Sequence, residues 1–339
     1  MHAPHIQQPI FNSTLLKKSL FNDPTQRYIS VYLPPNYNEK SKDAYSCFYI
    51  LAPWSSTGSL SIFPKNVFSP SLPQLLDQAI LENKIKPCIV IFPNCESKLG
   101  HSQYINSPAC GPYMDYLCDE IVPYIDRHYN TLASAQQRSI MGFSSGGFGA
   151  LVTGMLRPDV FLNIASSAAD SFYEYLYLNM IPRAQSVLEK YGSIDTFIQH
   201  YLNNPNPMSL LDRNEGETLL LLNICACFIP NKNNPPLYGD LFFDIATGAI
   251  KDDAWQKLLA WDPIRMIDHH QSNIKQWQHV ILDAGKHDEY GLNLGHRQIA
   301  KKLKALNISL THNEYPGRHS GHTYRYIERI KILQNIFYL

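Results

Sequence analysis

The stretch Gly142-Phe143-Ser144-Ser145-Gly146 fits Gly-x-Ser-x-Gly, a spacing that can make Ser144 a nucleophile. The pentapeptide alone is a weak signal, because it arises by chance in many chains. Its flanks strengthen it. Arg138 to Met141 reads as the end of a buried strand, and Gly147 to Leu156 as a small-residue apolar helix stopped by Arg157-Pro158. A serine on so tight a strand-to-helix turn has its hydroxyl pushed up into a cleft. The flanking glycines are needed because side chains there would collide with the strand and helix. The helix N-terminus also aims free N–H groups at developing negative charge.

A serine hydroxyl needs a base to take its proton, and the base needs an orienting carboxylate. Where the serine sits on such a turn, the acid and then the histidine follow it in sequence. For the acid, the loop around 284–290 offers Asp288 and Glu289, with Asp283 just before it. Asp283 still belongs to a strand pattern, whereas Asp288 stands further out, where it can reach an imidazole, and is favoured. For the base, the loop Tyr315 to His322 offers His319 and His322. His319 is favoured because Gly317 and Gly321 bracket it and free its backbone, while His322 stands at the expected start of a helix. The oxyanion of a tetrahedral intermediate would be met by the backbone N–H of Ser145 and, from the loop after the second strand, that of Trp54; Pro53 has no N–H to offer. The histidines at 269, 270, 287, 296 and 312 are scattered over different elements without ligand spacing, so no metal and no cofactor is expected.

These residues must be carried by regular elements. Strands are expected over 28–33, 45–51, 88–92, 138–141, 162–169, 280–283 and 308–315. Helices are expected over 73–83, 113–129, 147–156, 292–306 and 322–337. Strands alternating with helices argue for a mostly parallel, doubly wound sheet, with chemistry at the carboxyl ends of the strands. Every candidate above sits at such an end. Residues 171–278 break the rhythm. They hold several Tyr and Trp residues together with Pro205, Pro207, Pro230 and Pro235-Pro236, and read as a cap inserted in a single domain spanning 1–339.

Lys plus Arg equals Asp plus Glu at 29 each, so no strongly basic surface for nucleic acid is expected. The apolar run Leu219 to Ile229 reads as a buried strand carrying Cys225 and Cys227, and it is too short to span a bilayer. Seven cysteines without regular spacing read as reduced, buried thiols. With no basic start followed by an apolar stretch at 1–14, the expected location is the cytoplasm. Nothing in the residues sets an oligomeric state.

Beyond the elbow, the chain resembles the Putative esterase family of α/β hydrolases, which includes S-formylglutathione hydrolases, mycolyltransferases and enterobactin esterases. The resemblance runs from about Arg27 through most of the chain. It rests on Val31-Tyr32-Leu33-Pro34-Pro35-Asn36-Tyr37, on Gly100-His101-Ser102-Gln103-Tyr104-Ile105-Asn106-Ser107, on the elbow through Ala150, on Asp288-Glu289-Tyr290, and on His319-Ser320 followed by Tyr324-Arg325. It implies an α/β-hydrolase fold, catalysis by Ser144, His319 and Asp288, and a small-molecule ester or thioester substrate. In one place the chain departs from the family. Where members usually carry His-Gly or Asp-Gly before the oxyanion loop, this chain has Ala52-Pro53, and proline stiffens that loop or moves its donor to Ser55. Two other readings stay open: an acyltransferase with the same triad, and a binding protein on the same fold. A serine triad needs no metal, so dialysis against EDTA should leave the rate on an activated ester unchanged; a loss restored by zinc would overturn that reading.

Overall fold

Strands rich in Ile, Val and Phe on every position need cover on both faces. In the computed structural model, which describes residues 4–64, 68–204 and 212–337, eight strands form one sheet, the central ones apolar on both faces and the edge strands only partly buried. They are β1 (His5–Gln7), β2 (Ser30–Leu33), β3 (Ser46–Leu51), β4 (Cys88–Phe92), β5 (Arg138–Phe143), β6 (Asn163–Ser167), β7 (His279–Gly285) and β8 (Leu310–Tyr315). Their order in space is β1-β2-β4-β3-β5-β6-β7-β8. Only β2 runs against its neighbours; the pairs from β4 to β8 are all parallel. This is the α/β-hydrolase arrangement.

The helices used below are α1 (Leu72–Leu81), α2 (Val122–His128), α3 (Ser145–Leu156), α4 (Ile181–Tyr191), α5 (Ile194–Leu202), α6 (Arg213–Phe228), α7 (Asp252–Leu259), α8 (Pro263–His269), α9 (Leu292–Ala305) and α10 (Arg325–Phe337). Successive strand residues point to opposite faces, and each face has its own core. Tyr49, Leu51, Ile140, Ile164, Val280 and Leu282 pack with α2, α3 and α9. Phe48, Ile50, Met141, Ala165 and Ile281 pack with α1 and α10. α1 starts where Ser71 caps it reciprocally with Gln74.

The insertion 171–278 holds α4 to α8, with a non-helical stretch over 229–251 that carries two isolated β-bridges; its Pro205 and Pro207 lie outside the described residues. One expectation fails here. Leu219 to Ile229 is not a strand. Residues 219–228 are the last ten of α6. The helix is buried almost all round, with Phe228 against Phe148, Tyr173 and Trp261. No polar face marks its period, and a short apolar run of that kind does not distinguish helix from strand. The signal lay upstream, where Asp212 and Glu215 form a reciprocal cap at the start of α6. The C-terminal helix begins at Arg325, later than expected, so His322 stays in the loop. Among the described residues no helix is long and apolar enough to cross a membrane.

Register sets where chemistry can occur. Leu51, Gly142, Ser166, Leu282 and His312 stand in one row across β3, β5, β6, β7 and β8. The loops bearing Trp54, Ser144, Asp288 and His319 therefore leave the sheet at one edge. Beneath them Asp283 is clamped. Arg329 reaches it at 2.9 Å, the Ser167 hydroxyl at 2.6 Å and Arg325 at 3.3 Å. Burial pushes the Asp283 carboxyl up, but these partners outweigh it and hold the group below its ordinary value. The clamp joins α10 to β7, on either side of the His319 loop. Arg329→Leu would strand a buried carboxylate, so it should cost about 3–5 kcal/mol in urea unfolding. A loss below about 1 kcal/mol would show that the clamp adds little.

Candidate active site

The elbow is built by close approach. A Cβ on Gly142 would lie 2.2 Å from the carbonyl oxygen of Gly146, and one on Gly146 would lie 2.3 Å from that of Leu51. Both contacts are with backbone, so neither can relax cheaply. Ser144 sits between them at φ 57° and ψ −125°, a conformation that costs a non-glycine residue about 1–3 kcal/mol. Its N–H is held by the carbonyl of Ser167 at 2.9 Å. The hydroxyl is thereby lifted above β5, and the free N–H groups that begin α3 lie directly after it.

His319 completes a hydrogen-bonded chain. Its Nε2 stands 3.1 Å from Ser144 Oγ, and its Nδ1 donates to Asp288 Oδ2 at 2.7 Å. Bonding of Nδ1–H to the carboxylate leaves Nε2 as acceptor for the serine proton. The imidazole is flanked by Phe143 and Tyr290, with ring centroids 4.6 and 4.9 Å away. Asp288 is also fixed, its Oδ1 accepting from the N–H of Tyr290 at 2.9 Å. The acid and base loops are laced together: Lys286 N–H donates to Tyr315 O and His287 N–H to Gly317 O, both at 2.9 Å.

The rejected alternatives have other partners. Asp283 belongs to the arginine clamp. Glu289 accepts from the backbone N–H of His319 at 2.8 Å and pairs with Arg318, so it holds the loop rather than the ring. His322 turns away, its Nε2 donating to the carbonyl of Arg318 at 3.0 Å and its ring lying against Tyr315.

Where an oxyanion loop is expected from the sequence, Pro53 to Ser56 form a turn closed by Ser56 N–H to Pro53 O at 3.1 Å. Ser55 has φ 59°, as the third residue of a type II turn requires. Proline opens this turn, a place where its missing N–H costs nothing, and the turn's own bond leaves the N–H groups of Trp54 and Ser55 unused. Two contacts brace the loop: the Tyr104 hydroxyl donates to Ala52 O at 2.9 Å, and Trp54 Nε1 to Leu99 O at 3.3 Å. The Ala52-Pro53 departure is thus accommodated by the turn.

Asp170, absent from the sequence-based set, also reaches the site. Its Oδ1 lies 3.4 Å from Ser144 Oγ, and its Oδ2 accepts from the Ser145 hydroxyl at 2.7 Å. The signal was present, a carboxylate just past the end of β6 at the same sheet edge, but it falls at the boundary with the insertion. Burial pushes this carboxyl up to about 6, against the lowering effect of Ser145 and His319.

A model of the family described as "Putative esterase" matches residues 24–328. A ferulic acid esterase structure superposes with a TM-score of 0.60 at 15% identity, covering 98% of each chain. A fluorophosphonate-binding serine hydrolase of Staphylococcus aureus gives 0.59 at 16% identity over 99% of each chain. An S-formylglutathione hydrolase from the same organism gives 0.55 at 16% identity, over 98% of this chain and 99% of that one. At these identities the structural likeness speaks for the fold.

The raised Asp170 carboxyl has a consequence for stability. The folded protein holds that proton more tightly than the unfolded chain, so the burden is absent below about pH 4 and full above about pH 6. Removing the charge should therefore stabilise at high pH only. Asp170→Asn should gain about 3 kcal/mol at pH 8 and nothing near pH 4. Thermal melts of both proteins across that range check it, and equal melting at pH 8 would place the carboxyl at its ordinary value.

Proposed function

This chain belongs to the Putative esterase family, and from that we propose that it is a serine esterase acting on carboxylic esters or thioesters through an acyl-enzyme. The observation that carries the reading is the unbroken chain from Asp288 through His319 to Ser144 on a strained elbow. Ser144 Oγ attacks the acyl carbonyl while His319 Nε2 takes its proton, and Asp288 stabilises the resulting imidazolium. The carbonyl electrons move onto oxygen, where the N–H groups of Ser145 and Trp54 receive the charge. The adjacent N–H of Ser55 is a second donor the turn can present. On collapse, His319 returns the proton to the leaving alcohol or thiol. Water then enters, is deprotonated by His319, and releases the acid in a second round of the same steps.

The structural neighbours that are feruloyl esterases and S-formylglutathione hydrolases set the range of small esters to try first. The insertion 171–278 acts as the cap that shapes the pocket. It follows directly from the turn bearing Asp170, and the stacked pair Phe172 and Tyr175 stands at its start. A cytoplasmic setting is supported by seven buried free thiols, including Cys110 and Cys227 with their sulfurs 3.2 Å apart.

Labelling with a fluorophosphonate followed by peptide mapping should mark Ser144. On p-nitrophenyl butyrate, Ser144→Ala should lose about a million-fold in kcat and His319→Ala at least about a thousand-fold, with both proteins folded. His322→Ala should keep most of the rate. An inactive His322→Ala beside an active His319→Ala would reverse the assignment of the base.

A further inference from the structure

The carboxylate of Asp170 is spare in the reaction as written. It is 5% exposed, faces the nucleophile, and has no lysine or arginine paired with it among the described residues. Three other buried acids are paired with cations: Asp283 with Arg329 and Arg325, Glu217 with Arg183 and Arg213, and Glu215 with Lys190. Asp23, equally buried and without an ion pair, instead accepts from the Ser19 and Tyr113 hydroxyls and the Lys98 N–H. An ionised carboxylate has about four acceptor sites, and Asp170 has one committed hydroxyl donor, Ser145 at 2.7 Å; Ser144 Oγ stands 3.4 Å from the other oxygen, but its single proton is directed to His319 Nε2. Its position is not loose. Ala168 N–H donates to Asp283 O at 2.8 Å, Ala169 N–H to His296 Nε2 at 2.9 Å, and the turn is bounded by left-handed residues Ala168 (φ 41°) and Phe172 (φ 56°). A strained, braced turn thus holds a desolvated negative charge beside the point where an oxyanion would form. That charge opposes the oxyanion unless something offsets it.

Acylation sharpens the question. In the acyl-enzyme the acyl chain hangs from Ser144 Oγ, 3.4 Å from an Asp170 Oδ1 whose lone pairs have no committed donor. We infer that Asp170 is a specificity-determining residue that accepts a hydrogen bond from a hydroxyl or ammonium group carried by the acyl chain close to its carbonyl. The inference rests on the esterase reading and narrows it to acyl groups with a donor one or two carbons from the reacting carbon. Burial raises this carboxyl towards neutrality in the free enzyme, and a bound donor restores its charged form.

The test compares p-nitrophenyl esters of 2-hydroxypropanoate and 2-methoxypropanoate, which share electron withdrawal but differ in the donor, with the 2-aminopropanoate ester as the ammonium case. Wild-type kcat/KM should favour the hydroxy ester over the methoxy ester by about ten- to a hundredfold, the range expected when a hydrogen bond to a charged group is gained. Asp170→Asn keeps the acceptor for Ser145 and should collapse that ratio towards one, and the amino ester should lose at least as much. Should the variant fail to fold, the wild-type ratio still decides: a value within about twofold of one overturns the assignment. A ratio unchanged between wild type and variant overturns it as well. Turnover of the plain propanoate ester by the wild type separates the two readings. Propanoate cleaved without any donor preference sinks the role of Asp170 alone. No ester cleaved and Ser144 unlabelled by the fluorophosphonate sinks the esterase reading and this one with it.

Discussion

The backbone at the elbow approaches itself so closely that Gly142 and Gly146 have no room for a Cβ, and Ser144 takes a strained positive-φ conformation between them. Everything at the site follows from that crowding. The approach of α3 to β5 brings the helix N-terminus under the serine. It also brings the carbonyl of Ser167 onto the Ser144 N–H, so β6 shares in holding the turn. A strain of about 1–3 kcal/mol persists only where surrounding structure over-determines it. Here that structure is a sheet covered on both faces and an α3 buried at every residue but Leu156.

Four carboxylates lie at this sheet edge, and their partners give each a different character. Asp283 is neutralised by two arginines and ties α10 to β7. Asp288 is held by backbone N–H groups on one oxygen, which turns the other towards His319. Glu289 secures the main chain of the His319 loop from the solvent side. Asp170 has no lysine or arginine paired with it among the described residues, only the Ser145 hydroxyl and the nearby His319, and carries the desolvation of its burial. Residue type alone would make these groups equivalent; the charges and donors around them make them distinct.

Strain collects at the same edge. Ser55, Gln103, Tyr104, Ser144, Ala168 and Phe172 all have positive φ, and they lie on the turns that border Ser144 or brace its neighbours. Tyr104 links two of these turns, its hydroxyl holding Ala52 while its ring fills the space beside Gly149. A loop stiffened this way presents its N–H groups in fixed directions, which is what charge stabilisation without reorganisation requires.

Much of this was legible in the residues. Apolar runs with a clear period, or with none because both faces are covered, mark the strands. The elbow, the acid loop and the histidine loop carry local signatures in glycine, proline and charge, and strand-helix alternation implies that all three meet at one edge. The sequence by itself therefore determined the sheet, the elbow and the short set of candidates. Tertiary structure set which of them come together. Whether His319 or His322 faces Ser144 depends on a loop pinned from a distance by Glu289 and the 286–287 backbone. The helical state of 219–228 depends on burial from all sides, which erases the period that sequence reading uses. Asp170 joins the site only because β6 lies beside β5 in register, and no spacing along the chain encodes a contact between neighbours in space that are 26 residues apart.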